Sequence, residues 1–263
     1  MSRSMVFIHA FPLDGGMWSA QVEALRALGW SALAPDLPGF GRAPLVEPDL
    51  RAYARAVLAE CDRHGIERAV FAGLSMGGYV LFRVVDLAPE RVAAVVLADT
   101  RAVPDSEDGK VRRTRLAERV RAEGTRFLAD EILPVLLGET TCRIRPDLST
   151  RVREKVLAAN PEGVARALLA MRDRPDSTEL LRSIRVPALV LVGEEDVLTP
   201  PEEAKALASG LPEAQLQVIP DAGHLSNLEN PEAFNRALAD FATVLHRGSG
   251  RSAHETARET RAR

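Results

Sequence analysis

Short apolar runs recur along the chain, with helix-like segments between them. The runs are MVFIH (5–9), SALAP (31–35), AVFAG (69–73), AAVVLAD (93–99), PALVLVG (187–193) and QLQVIP (215–220), each bounded by Gly, Pro or Asp. Hydrophobicity of this unbroken kind suits strands buried on both faces. Segments 17–28, 50–63, 76–87, 201–209 and 231–245 read as helices. Strands alternating with helices predict βαβ units, hence an α/β fold with a mostly parallel sheet and helices on both faces.

The alternation stops between residues 101 and 185. Amphipathic helices are predicted there over 108–123, 125–137, 148–159, 161–173 and 177–183, punctuated by Pro134, Pro146, Pro161 and Pro175. An all-helical insertion before the last two strands reads as a cap over one end of the sheet. The expected organisation is a core of 1–100 and 186–246 with a helical cap of 101–185. After Leu245 apolar residues almost vanish, and 247–263 is expected to be a disordered tail. No internal repeat is visible.

Composition narrows the partners. The 263 residues are 46% hydrophobic and 27% charged, enough for a real core under a soluble surface. A net charge of −3 points to no nucleic-acid partner. No apolar run reaches the roughly 18 residues of a membrane-spanning helix, and no signal-peptide pattern follows the N-terminus. Cys61 and Cys142 lack metal-type spacing and read as reduced structural thiols, so a cytoplasmic location is expected.

Against this background Gly73-Leu74-Ser75-Met76-Gly77 stands out. It is G-x-S-x-G where a buried strand becomes a helix. The bare pattern arises by accident in roughly one chain in ten of this length; the strand before it and helix after it make it specific. Such a turn pushes a serine hydroxyl out of the sheet in strained backbone, and its neighbours approach too closely for a Cβ. Gly78 would let the new helix pack tightly on the sheet.

A serine hydroxyl needs a base, and the base needs an orienter. His224 lies in a loop after the last strand, and Asp196 just beyond the strand before it. Both follow strand C-termini, the edge expected to present Ser75. Glu194, Glu195 and Asp99 compete for the acid role; Asp196 is favoured because D-x-x-T-P can hold its carboxylate in a turn. His64 reads as a helix C-terminal residue and His246 and His254 as tail positions, none of them catalytic. Negative oxygen formed on attack needs preorganised donors, for which the backbone N–H groups of Met76 and Phe11 are the candidates. Pro12 cannot donate. His9 is expected to brace the loop by hydrogen bonds, and Phe11, Met76 and Trp18 to line the pocket.

The segments FIHAFPLDGGMW, APDLPGFGRA, GLSMGGYV, VLADTR, LVGEEDVLTP and DAGHLSNLENPEAF together resemble the α/β-hydrolase superfamily, nearest the small-molecule esterase and 3-oxoadipate enol-lactonase-like branch. The resemblance spans nearly all of 5–245 outside the cap. It implies Ser75 as nucleophile, His224 as base, Asp196 as acid, and Phe11 and Met76 N–H as oxyanion donors. Serine rather than aspartate at 75 separates the chain from haloalkane dehalogenases and epoxide hydrolases. Ala10 stands where the family usually has glycine, and no antiparallel hairpin precedes the first parallel strand. The implied activity is hydrolysis of a small-molecule carboxylic ester or lactone without metal or cofactor. A perhydrolase or C–C hydrolase would use the same triad, and a non-catalytic ligand receptor the same scaffold. Cap arginines (Arg101, Arg112, Arg113, Arg115) would suit an anionic enol-lactone, but interspersed acids give them the look of a solvated face.

Overall fold

In the computed structural model, which describes residues 3–259 and their side chains as far as His246, all six predicted strands form one parallel sheet. The chain runs through β1 (Ser4–Ile8), α1 (Ser19–Ala27), β2 (Ser31–Leu33), α2 (Leu50–Arg63), β3 (Ala69–Leu74), α3 (Met76–Leu87) and β4 (Val92–Ala98). Six helices follow among the described residues: α4 (Glu107–Glu123), α5 (Arg126–Leu136), α6 (Glu139–Ile144), α7 (Pro146–Ala158), α8 (Pro161–Arg172) and α9 (Thr178–Leu181). Then come β5 (Ala188–Gly193), α10 (Pro201–Gly210), β6 (Ala214–Ile219), α11 (Ser226–Glu229) and α12 (Pro231–Glu259).

The strand order is β2-β1-β3-β4-β5-β6, and every neighbouring pair is parallel. Right-handed crossovers therefore put α1 on one face and α2, α3 and α10 on the other. Helix α12 returns to pack on α1, and α2 packs on α3. The four inner strands β1, β3, β4 and β5 are buried along their whole length, as continuous apolar runs require. The outermost strand β6 corrects the expectation of burial on both faces: Gln215 to Val218 are exposed, because an edge strand is covered less. The short strand β2 forms the opposite edge.

Local chemistry starts the helices where the spacing predicts. Asp49 caps α2 through the Arg51 N–H, and Asn160 caps α8 through the Glu162 and Gly163 N–H groups, with Pro161 opening the first turn. Helix α6 had no predicted counterpart; at six residues it is too short to show a period. The last helix is traced past its expected end to Glu259, through most of the segment expected to be disordered; 260–263 lie outside the described residues.

The chain reverses its direction of travel across the sheet between β1 and β3. In a parallel sheet such a switch leaves a crevice at the strands' carboxyl ends. Phe11 follows β1 and Ser75 follows β3, so both lie at that crevice.

Candidate active site

Ser75 sits between β3 and α3 with φ +55° and ψ −115°, a conformation non-glycine residues rarely hold. The glycines on either side make it fit. A Cβ on Gly77 would lie under 3.0 Å from the Ile8 carbonyl, and one on Gly73 equally close to the Gly77 backbone. Gly78 lets α3 approach the end of β4 closely: a Cβ there would lie under 3.0 Å from the Thr100 side chain.

His224 Nε2 lies 2.7 Å from Ser75 Oγ, and His224 Nδ1 lies 2.9 Å from Asp196 Oδ2. Asp196 Oδ1 accepts the Leu198 and Thr199 N–H groups at 2.8 and 3.0 Å, and Oδ2 also accepts the Thr199 hydroxyl at 2.6 Å. With Nδ1–H donated to the carboxylate, Nε2 is the free acceptor facing the serine hydroxyl. Burial raises the Asp196 pKa, but the electrostatic pull of His224 and the hydrogen bonds from His224 and Thr199 outweigh it, holding the carboxyl below its ordinary value. Thr199 escaped the sequence reading, although its position was in view within D-x-x-T-P.

The competing acids are engaged elsewhere. Glu195 accepts the Thr140 N–H and hydroxyl at the start of α6, and Glu194 is exposed. Asp99 is fully buried but bonds to Gly193 and Ser226, not to His224. Burial, then the neighbouring Asp196 charge, pushes its carboxyl well above the usual range. His64 caps the end of α2, as expected. His246 meets Arg3, and the His254 side chain lies outside the described residues. Neither cysteine is paired; Cys61 is buried, whereas Cys142 is exposed and is not a core thiol.

Phe11 and Ser75 line one cavity of about 190 Å³, together with Tyr79, Arg101, Arg113 and His224. Its remaining wall is largely apolar and comes from α4, α5 and α8, for example Leu116, Ile132 and Leu168. No loop or side-chain acceptor takes the N–H of Phe11 or Met76 among the described residues. Met76 does not line the cavity, and neither does Trp18, which packs between Phe7 and Phe234 in the core. Glu229, unremarked in the sequence, joins the His224 loop to the inserted helices by accepting the Leu225 and Gly138 N–H groups. Among the described residues no cluster of metal ligands occurs, and no helix is long and apolar enough to cross a membrane.

His9 does brace the loop. Leu37 N–H donates to its Nε2 at 2.9 Å, so Nδ1 carries the proton and meets the Ala10 carbonyl at 2.9 Å. Ala10, in the family's glycine position, is itself fully buried. Burial lowers the His9 pKa, so the folded chain stays neutral at this site where the unfolded chain takes up a proton. Stability is therefore expected to fall as pH drops below about 6.5, by at most about 1.4 kcal/mol per unit from this group. Urea denaturation from pH 5 to 7.5 should show a flatter slope in His9→Gln; equal slopes would refute the assignment.

With this geometry established, the comparisons with known proteins agree on one lineage. A family model described as the alpha/beta hydrolase fold matches residues 3–231. A thermophilic esterase from Thermogutta terrifontis, solved with malate bound, is 43% identical with a TM-score of 0.90, covering 92% of this chain and 90% of that one. The enol-lactonase from Burkholderia xenovorans LB400 is 30% identical with a TM-score of 0.84, covering 92% of both chains. The 3-oxoadipate enol-lactonase 1 of Acinetobacter baylyi is 29% identical over 92% of this chain and 89% of its own length.

Proposed function

The chain belongs to the alpha/beta-hydrolase family, and from that premise we propose that it is a serine hydrolase cleaving small-molecule carboxylic esters or lactones through an acyl-enzyme. The observation that carries this reading is the hydrogen-bonded line Ser75–His224–Asp196 opening into a mostly apolar cavity. His224 Nε2 takes the Ser75 proton as Oγ attacks the carbonyl carbon. The oxyanion rests on the Phe11 and Met76 N–H groups. Collapse expels the alcohol, which takes the proton from His224; a lactone opens and stays attached through its acyl end. Water, deprotonated by His224, then releases the acid and restores Ser75. Residues 101–185 act as the cap, whose helices supply the substrate-facing wall.

The cavity also favours a substrate bearing a carboxylate. Arg112 and Arg115 are exposed, but Arg101 and Arg113 line the cavity, and no carboxylate lines it with them. Arg113 is committed to Asp105. Arg101 is hydrogen-bonded to the Tyr79 side chain and meets Glu203 only at 3.8 Å, while its buried Nε has no acceptor. A cation so placed keeps a donor unsatisfied until an anion enters. The 3-oxoadipate enol-lactonase and the malate-bound esterase among its relatives support the same substrate class.

The test is a panel of p-nitrophenyl acetate, longer acyl esters, acid-terminated esters such as p-nitrophenyl hemisuccinate, and lactones. Ester release with acylation of Ser75 is expected. A perhydrolase would divert the acyl group to peracid when hydrogen peroxide is added, a C–C hydrolase would cut a carbon–carbon bond faster than any ester or lactone of the panel, and a receptor would bind without turnover. Arg101→Met should raise KM for the acid-terminated ester by about tenfold or more, the scale of a charge-assisted hydrogen bond, and leave the acetate ester within about threefold. Equal effects on both esters would remove the carboxylate assignment.

A further inference from the structure

Ser75, Asp196 and His224 stand on loops after three different strands, β3, β5 and β6. Strand β4 lies between β3 and β5 in the sheet, so its end is the one place from which a short segment reaches both sides. That end is Ala98-Asp99-Thr100, and each of its residues holds part of the site. The Ser75 N–H donates to the Ala98 carbonyl, and the Thr100 hydroxyl donates to the Ser75 carbonyl, both at 2.9 Å. One carboxylate oxygen of Asp99 accepts the N–H of Gly193, three residues before Asp196, at 2.8 Å. The other is hydrogen-bonded to the hydroxyl of Ser226, two residues after His224.

The backbone marks the same place. Among the described residues, three non-glycine positions have positive φ: Ser75, Asp99 (+46°) and Asp221. They follow β3, β4 and β6 at the carboxyl edge. Asp99 is 1% exposed, and Ser226 is fully buried. Strained positions persist where surroundings over-determine them, and they gather at functional sites.

We propose that Ala98-Asp99-Thr100 is a clasp that holds the nucleophile, acid and base loops at their working separations, with Asp99 as the positioning residue for the acid and base loops. This rests on the reading of Ser75, Asp196 and His224 as the working set. Asp99 touches none of the reacting atoms; it acts by hydrogen bonds made through both oxygens of one short side chain. Its neighbouring charges are Asp196 and Glu229, and burial beside them favours its neutral form. The neutral carboxyl still accepts the Gly193 N–H with one oxygen and can donate its O–H to Ser226 Oγ with the other, so hydrogen-bonding shape, not charge, is its contribution.

Asp99→Asn keeps that shape: the amide oxygen accepts from Gly193, and the NH₂ group donates to Ser226 Oγ. Its kcat and pH–rate profile should stay near wild type, with kcat within about threefold. Asp99→Ala should lower kcat by about 10²-fold, the effect of misplacing reacting groups by about 1 Å, with KM within about threefold. Fluorophosphonate labelling of Ser75, followed by mass spectrometry, should slow in step. Ser226→Ala, a milder lesion that keeps the test open should Asp99→Ala not fold, should lower kcat about tenfold. Added to Asp99→Ala, it should cost little more, because Asp99→Ala already removes the Ser226 arm along with the Gly193 one.

Asp99→Ala within threefold of wild type in kcat would overturn the clasp, as would Asp99→Asn falling as far as Asp99→Ala, or Ser226→Ala unchanged. Wild-type protein that neither cleaves esters nor takes the label would remove the serine-hydrolase reading itself, and the clasp with it.

Discussion

Ser75→Ala is expected to reduce ester and lactone turnover by roughly 10⁴–10⁶-fold, the range seen when a unit nucleophile is removed, with the fold retained. In the proposed reaction the hydroxyl is the group that attacks, and its side chain is hydrogen-bonded to His224 Nε2. The backbone bonds that seat the turn, from Ser75 N–H to Ala98 and from Thr100 to the Ser75 carbonyl, survive the substitution. Thermal unfolding should therefore shift by no more than a few degrees, while burst kinetics and phosphonate labelling disappear. A variant as active as wild type would refute serine chemistry at this site.

Gly77→Ala should instead destroy the fold or nearly so. The new Cβ would sit under 3.0 Å from the Ile8 carbonyl, with the His9 carbonyl close behind. Both are backbone atoms of β1 and its following loop, fixed by pairing with β3, so neither can give way cheaply. Overpacking against backbone belongs with the exceptional substitutions, at about 4 kcal/mol or more, against a total stability of about 5–15 kcal/mol for a native domain. Gly65→Ala is the control. Gly65 has φ +65° but nothing within 4 Å of its Cβ position, so only about 1–2 kcal/mol of left-handed backbone strain is expected. Urea midpoints of the two variants separate the cases; a Gly77→Ala midpoint equal to that of Gly65→Ala would show that the turn is not packed against β1.

The glycines flanking Ser75 also show which features were legible in one dimension. Gly73 and Gly77 could be read as close-approach positions because their neighbours are supplied by the turn and the adjoining strand, whose pattern was clear. The six strands were legible for the same reason, since continuous burial writes itself into consecutive residues. Helix α6 was too short for a period to show. The apolar residues of β6 suggested burial, yet the strand lies at an edge. Trp18 looked equally able to line a pocket or fill a core, because an aromatic side chain serves either purpose; packing on Phe7 and Phe234 settles its place.

The α/β alternation, the serine turn and a short set of acids and histidines at strand ends can all be read along the chain. Which of those acids and histidines come together emerges with the fold. Asp196 meets His224 while Asp99, Glu194 and Glu195 turn elsewhere, and two of four suspected arginines face the cavity. Periodicity and turn chemistry are set by residues a few positions apart, so the chain carries them openly. Which loop faces which depends on strand order and side-chain direction at sequence separations of 94 residues between Asp99 and Gly193 and 149 between Ser75 and His224. Those distances close only when the sheet forms.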